Sequence, residues 1–311
     1  MKKSKWIIIG LILAIALSVI GVGLYHIKKN EYYVSEGISI KNTLRNGRKE
    51  KVKVILLAGQ SNASGCSHVE ELEKNVSKEK FNEYKNGYSN IYINYYNDNG
   101  MNSSNEFVNV TLSQGVTEGY FGPELGMAEK LSELYPGEKI FIIKSAWGGT
   151  DMYKRWKAGE GDLYKSFIKF VKISLEYLEM KNYDVDVVAT MWMQGESDAN
   201  LEYYPSYKEN TINFIAAIRK DISKYIETNM YFVDAYISDS HYWQLYKEIN
   251  SSKQEVCDSS LYNICIDTIK EGLTYQNEPI DQPDLAHYDS ISEVKLGHLF
   301  AQTYYDATKK E

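Results

Sequence analysis

Residues 51–65 read KVKVILLAGQSNASG, and the fold turns on how this stretch is parsed. Its first part, KVKVILLAG (51–59), is an apolar run with β-branched residues. A strand with one wet face alternates polar and apolar residues, whereas a strand covered on both faces reads as a continuous apolar run. The run therefore predicts a buried strand. Its end changes character at once: GQSN (59–62) sets Ser61 between a glutamine and an asparagine, right after Gly59 closes the run. Gly, Ser and Asn all favour turns, so GQSN reads as an ordinary strand-to-loop turn. The alternative is a serine held out at a sheet edge to react, which this stretch taken alone does not favour.

Working outward, similar runs recur at IYINYY (91–96), KIFIIKSA (139–146), VDVVATMWM (185–193) and MYFVDAYI (230–237). Helical patterns lie between them. PELGMAEKLSELYP (123–136) opens with a proline, which suits a first helical turn. Residues 162–181 and 204–226 carry apolar side chains at helical spacing. A last helix is expected from Ser290, with Glu293 three residues on as in a capping box. Alternating strands and helices predict one α/β domain over residues 51–308, with a mainly parallel sheet. The polar stretches 66–90, 97–120 and 238–262 are expected as loops at the sheet edge, and 31–50 as a polar linker.

The first 30 residues stand apart. Lys2, Lys3 and Lys5 precede an uncharged apolar run from Trp6 to Tyr25, long enough to cross a bilayer as a helix. This predicts an uncleaved transmembrane anchor, with the rest of the chain in the extracytoplasmic space of the cell membrane. The alternative is a cleaved signal and a secreted protein, although SVIGVG is a poor cleavage site.

The net charge of the 311-residue chain is −7, and no basic stripe occurs beyond the N-terminal region, so nucleic acid is not an expected partner. Its 27 tyrosines fit a sugar site, where a ring packs on a sugar and the hydroxyl hydrogen-bonds, or a simple bias of composition. Of the three cysteines, Cys257 and Cys265 could pair in an oxidising compartment and leave Cys66 free, or all could stay unpaired. Neither the cysteines nor the five histidines show metal-site spacing, so no metal is expected.

In open α/β sheets, sites form at the carboxyl ends of strands. Strand one ends in GQSN, the 139–146 run in WGGTD (147–151), and the 185–193 run in QGESD (194–198). DLAHYD (284–289) precedes the last helix. Each has a plain structural reading: a tight glycine turn, a helix N-cap, a chance Asp-x-x-His. One mechanism, acyl transfer to serine, explains them together. Ser61 needs an adjacent base. His287 can take its proton, and Asp284 can hold the imidazole in one tautomer. The backbone amide of Ser61, an amide of Gly148–Gly149 and the side-chain amide of Gln194 could stabilise an oxyanion.

GQSN, FGPELGMA (121–128), SAWGGTDMYKRW (145–156), WMQGESD (192–198) and DLAHYD, in that order, resemble the sialate O-acetylesterase-like carbohydrate esterases of the SGNH-hydrolase superfamily. The resemblance spans about residues 52–300. It implies a flavodoxin-like three-layer α/β/α fold, with Ser61 as nucleophile, His287 as base and Asp284 as its orienter. It implies too that Gln194 sits where other SGNH enzymes place an oxyanion-hole asparagine. In some relatives the glutamate of the QGE block belongs to the triad, so Glu196 competes with Asp284. Ala63 departs from the GQSNM common in the family, which would alter the pocket wall. His68, His241 and His298 have no role in the resemblance. Trp147, Trp156 and Tyr288 could border a sugar. The implied activity is cofactor-free removal of O-acetyl groups from a carbohydrate, either sialic acid or a polysaccharide. O-acetyl transfer to a cell-surface glycan and non-catalytic sugar binding are the alternatives.

Overall fold

The computed structural model describes residues 31–310. The main sheet contains β1 (Lys51–Gly59), β2 (Ile91–Asn97), β3 (Ile140–Ala146), β4 (Asp184–Met193), β5 (Tyr231–Ala235) and β6 (Asn263–Ile266). Their order across the sheet is β6-β5-β4-β1-β3-β2, and every one of these pairings is parallel. Short antiparallel segments, Asn102–Ser103 and Val108–Asn109, close the β2 edge. β1 is central, and its residues from Val54 to Ala58 are fully buried, which is why its sequence does not alternate.

The chain builds outward from β1 to β2 and β3 on one side, then crosses over to lay down β4, β5 and β6 on the other. The carboxyl ends of β3, β1 and β4 therefore meet at a point where the winding reverses. Such switch points open a crevice in doubly wound sheets.

The helices that frame the sheet and the site are α1 (Ser61–Ser64), α2 (Glu124–Leu134), α3 (Asp162–Met180), α4 (Tyr204–Asp221), α5 (Tyr246–Asp258) and α6 (Ser290–Thr308). Side-chain alternation along β3 assigns them to layers. Lys144 reaches Glu124 of α2, while Phe141, of opposite parity, meets Phe107, which stacks on Tyr177 of α3. α2 packs against α6 on one face of the sheet, and α3, α4 and α5 cover the other. Under the second face Trp156, Trp192, Phe214 and Phe232 form an aromatic cluster, with Trp156 edge-on to Trp192 at 5.2 Å. Burying each such ring contributes on the order of 2–3 kcal/mol.

Several expectations are corrected. Residues 31–50 are not a free linker. Tyr32–Ser35 and Ile38–Lys41 form an antiparallel hairpin, Ile40 and Leu44 are buried, and the Tyr33 ring lies 5.9 Å from that of Tyr177 on α3. The few apolar side chains of this polar stretch find cover there. The stretch 66–90 holds two short helices, Val69–Asn75 and Lys78–Asn86, and 238–262 contains the whole of α5. β6 was not anticipated. The last helix begins at Ser290, but without a capping box. Asp289 is its N-cap, the Ser290 N–H and hydroxyl donate to Glu278, and the buried Glu293 carboxylate has no hydrogen-bond partner among the described residues. The expected membrane span, Trp6 to Tyr25, lies outside the described residues. Among those described, no helix is long and apolar enough to cross a membrane.

Candidate active site

β1 leads straight into the site. At Gly59 the backbone has φ +143°, and an added Cβ would fall 1.9 Å from the Met193 carbonyl oxygen, so only glycine lets β1 and β4 approach this closely. The chain then turns. The amides of Ala63 and Ser64 donate to the Gln60 carbonyl, and that of Gly65 to the Ser61 carbonyl. Ser61 is partly exposed, whereas Gln60 and Asn62 on either side are buried. Alternate side chains in this tight turn point in opposite senses, and the two amides anchor it.

Gln60 Oε1 accepts the backbone N–H groups of Gly195 (3.4 Å) and Ser197 (3.3 Å), which ties the turn to the loop after β4. Asn62 reaches further. Its Nδ2 donates to Glu196 Oε1 at 2.9 Å and to the Ala286 carbonyl at 3.5 Å. Its Oδ1 accepts the Tyr288 N–H at 3.2 Å. Both chain neighbours of His287 are thus held by the residue next to Ser61. Ser67 adds a bond from its hydroxyl to the Tyr288 carbonyl at 2.7 Å.

Within that loop, His287 Nδ1 lies 2.6 Å from Asp284 Oδ2, and Asp284 Oδ1 accepts the Ala286 N–H at 2.9 Å. A three-residue separation on one turn makes this contact local. Burial lowers the pKa of His287, but its hydrogen bonds to Asp284 and to the Cys66 thiol outweigh that and push it up to about 10. Burial raises the Asp284 carboxyl, and the His287 bond and charge more than reverse this, for a net lowering.

The loop after β3 supplies the other wall. The Trp147 N–H donates to the Gly59 carbonyl at 3.0 Å. A Cβ on Gly148 would lie 3.6 Å from Ser61 Cβ, so Gly148 stands beside the serine, and its N–H donates to Asp98 Oδ1 at 2.7 Å. Gly149 is exposed with φ +65°. Asp198 braces the far end by accepting the Met152 N–H (2.8 Å) and Tyr153 N–H (3.2 Å). Its burial raises its pKa to about 7.

Gln194 differs from expectation. It is fully buried, and its Nε2 donates to Asp198 Oδ2 (2.6 Å) and the Thr150 carbonyl (3.0 Å). Both amide hydrogens are thereby engaged inside the protein, leaving none for an oxyanion. The residue braces the β3 and β4 loops instead. Glu196 makes no bond to His287. It is buried behind Asn62, its Oε2 has no partner among the described residues, and burial raises its pKa. Trp156 and Tyr288 are core residues, while Trp147 is half-buried with the Arg155 guanidinium 5.2 Å from its ring. His298 pairs with Glu129 at 2.8 Å, and His68 packs on Tyr120. Three residues went unassigned in the sequence: Gln60, Asn62 and Asp98. The first two stand inside the GQSN block itself; Asp98 carries no local signal.

Among the described residues, no group of three or more metal-ligating side chains gathers. A cavity of about 670 Å³ between the N-terminal hairpin, β2 and α3 involves none of the residues above. Ser61 offers a part-exposed hydroxyl, His287 and Asp284 form an imidazole–carboxylate pair whose loop is held to the Ser61 turn through Asn62, and the Ser61 and Gly149 N–H groups have no partner among the described residues. Groups of these kinds are the ones acyl transfer uses.

Comparison with known families matches residues 51–306 to the model of one described as carbohydrate esterase, sialic acid-specific acetylesterase. Among solved structures, NanS aligns with a TM-score of 0.62 at 15% identity, covering 85% of this chain and 99% of that one. A protein from Arabidopsis thaliana aligns with a TM-score of 0.59 at 19% identity, covering 82% and 98%. A carbohydrate acetylesterase from Xanthomonas citri aligns with a TM-score of 0.55 at 12% identity, covering 84% of this chain and 57% of that one. At these identities the likeness establishes a shared fold. No curated protein matches the sequence.

Proposed function

This chain belongs to the carbohydrate esterase family of sialic acid-specific acetylesterases, and we propose that it uses Ser61 as nucleophile, His287 as base and Asp284 as the carboxylate that orients the base. As a carbohydrate acetylesterase it is a carboxylic ester hydrolase. The domain then has the flavodoxin-like arrangement of SGNH hydrolases. The substrate class is an acetylated carbohydrate, either an O-acetyl sialic acid or an acetylated polysaccharide.

The observation that carries this reading is the bonding of Asn62 to both sides of His287, at the Ala286 carbonyl and the Tyr288 N–H. It supports a close approach of Ser61 and the imidazole. In the reaction, Ser61 Oγ attacks the acetyl carbonyl as His287 Nε2 takes its proton. The oxyanion forms against the N–H groups of Ser61 and Gly149, which have no partner among the described residues. Collapse expels the sugar alkoxide, which takes the proton from His287. Water, deprotonated by His287, then attacks the acetyl-serine; collapse breaks the Ser61 Oγ–acyl bond and releases acetate as His287 returns the proton to Ser61 Oγ. Asp284 keeps Nδ1 protonated throughout, so Nε2 is the basic nitrogen.

The test is hydrolysis of an aryl acetate and of acetylated sialic acid and xylan by the full chain, read as acetate release. Ser61→Ala is expected to lose at least ~1000-fold in kcat. Equal rates for the two proteins would end the nucleophile assignment. Acetyl groups recovered on an added sugar, rather than as acetate, would make the enzyme a transferase.

We also infer that the catalytic domain works in an oxidising, extracytoplasmic compartment. The disulfide between Cys257 and Cys265 supports this. Mass mapping after thiol alkylation without reductant tests it; two alkylated thiols there would count against it.

A further inference from the structure

Strand β2, last in the parallel order β6-β5-β4-β1-β3-β2, delivers a carboxylate to the site. Asp98 follows its last residue, Asn97, and is buried. Asp98 and Asn99 both have positive φ, at 43° and 59°. Left-handed backbone is unfavourable for residues with a side chain and persists where the surroundings over-determine it. Here they do. The Asn97 amide donates to the Gln114 (3.2 Å) and Gly115 (2.9 Å) carbonyls, and Asn102 Nδ2 donates to the Gly115 carbonyl at 2.9 Å.

The carboxylate thus positioned spans two loops. Oδ1 accepts the Gly148 N–H at 2.7 Å, and Oδ2 accepts the hydroxyl of Ser64, a fully buried residue on the turn that begins with Ser61. Gly148 stands between the two residues: its Cβ position is 3.4 Å from Asp98 Oδ1 and 3.6 Å from Ser61 Cβ. We propose that Asp98 is a positioning residue that locks the Trp147–Gly149 loop against the Ser61–Ser64 turn, and so sets the spacing of the two oxyanion donors. This rests on the reading of Ser61 as nucleophile.

The role has two consequences. Because the Gly148 N–H is held by Asp98, it is not a donor to the oxyanion, and the adjacent Gly149 N–H takes that place. The link also needs shape and hydrogen bonds but no net charge. Asparagine in place of Asp98 can accept the Gly148 N–H through Oδ1 and donate from Nδ2 to Ser64 Oγ. Leucine has similar size and can do neither.

Donor spacing acts on the transition state, so an error there lowers kcat and leaves KM in place. Steady-state hydrolysis of an aryl acetate by the full chain, with melting temperature measured alongside, tests this. Asp98→Leu is expected to lower kcat about 100-fold with KM within about three-fold, the size of effect that follows a shift of about 1 Å in a reacting group. Asp98→Asn is expected to return kcat to within about five-fold of the unaltered protein. Ser61→Ala and labelling by a serine-directed fluorophosphonate run in parallel. If Ser61→Ala is inactive and Asp98→Leu keeps full kcat, the positioning role is wrong and the nucleophile stands. Equal loss of kcat in the Leu and Asn variants also overturns it, as does a rise in KM alone. If Ser61→Ala stays active, both readings fall. Should Asp98→Leu not fold, Asp98→Ser, too short to bridge both partners, takes its place against Asp98→Asn.

Discussion

The backbone N–H of Tyr288 donates to the side-chain oxygen of Asn62 at 3.2 Å, joining positions 226 apart in the chain. One amide side chain in the turn after β1 thereby sets the height of the loop that carries His287. Because the same side chain also meets Glu196 and Ala286, three separate segments converge on the residue next to Ser61.

Replacement of Asn62 by leucine should therefore act on two readouts at once. It strips a partner from the buried Glu196 carboxyl and from the Tyr288 N–H. Each unsatisfied buried group costs about 1–3 kcal/mol, so the melting temperature should fall. Turnover of an aryl acetate should fall further than that loss of stability explains. Unchanged kcat in a folded Asn62→Leu protein would show that the His287 loop holds its place without it.

Asp284 and Glu196 are separated by their partners. Asp284 bonds the imidazole directly, and Glu196 bonds Asn62. Asp284→Asn should lower kcat by about 10⁴, because the amide favours the wrong imidazole tautomer. Glu196→Gln keeps an acceptor for Asn62 and should cost less than about ten-fold. The opposite ranking of the two kcat values would make Glu196 the triad acid.

The pH profile follows from His287. Its pKa is pushed up to about 10, and the base must be unprotonated to act, so kcat/KM should climb through the alkaline range. Cys66 contributes to the upward shift, and Cys66→Ala should move the rising limb to lower pH. Linkage gives the matching effect on stability. The raised folded-state value means that the stabilisation by the protonated ring is complete below the unfolded value of about 6.5. It is lost as pH rises through about 10. Denaturant midpoints of the unaltered protein and His287→Ala should converge at the top of that range. A Cys66→Ala profile that overlays the unaltered one would remove the thiol from this account.

Gln194 provides a test of its own. An oxyanion donor lost by substitution lowers kcat about 100- to 1000-fold and leaves stability alone. A brace within the Asp198 network does the reverse. Gln194→Leu leaves the buried Asp198 short of a donor and should lower stability by about 1–3 kcal/mol, measured by urea unfolding. A large kcat loss at full stability would restore Gln194 to the oxyanion hole.

Much of the architecture was legible in the chain. β1, β3 and β4 are covered on both faces, so they read as apolar runs wherever the eye starts. The Asp284–His287 contact was legible as well, since three residues on one turn cannot be far apart. α5 was missed because Ile249, Val256 and Cys257 are its few buried apolar residues, while Asn250 and Lys253 are buried through polar bonds. That mixture gives a helical period little contrast. The hairpin at 32–41 was missed for a related reason: a few side chains such as Ile40 find cover on α3, and nothing local announces that surface.

The candidate residues, Ser61 at a strand end and Asp284 with His287 on one turn before the last helix, are named from the sequence alone, because burial and turn chemistry act over a few neighbouring residues. Which of them meet was decided by tertiary structure. The crossing of the chain over β1 brings the β3, β1 and β4 loops together, sets Asp98 from the edge strand against Gly148, and turns Gln194 inward. Those contacts depend on the order of strands in the sheet, and no short stretch of chain encodes that order.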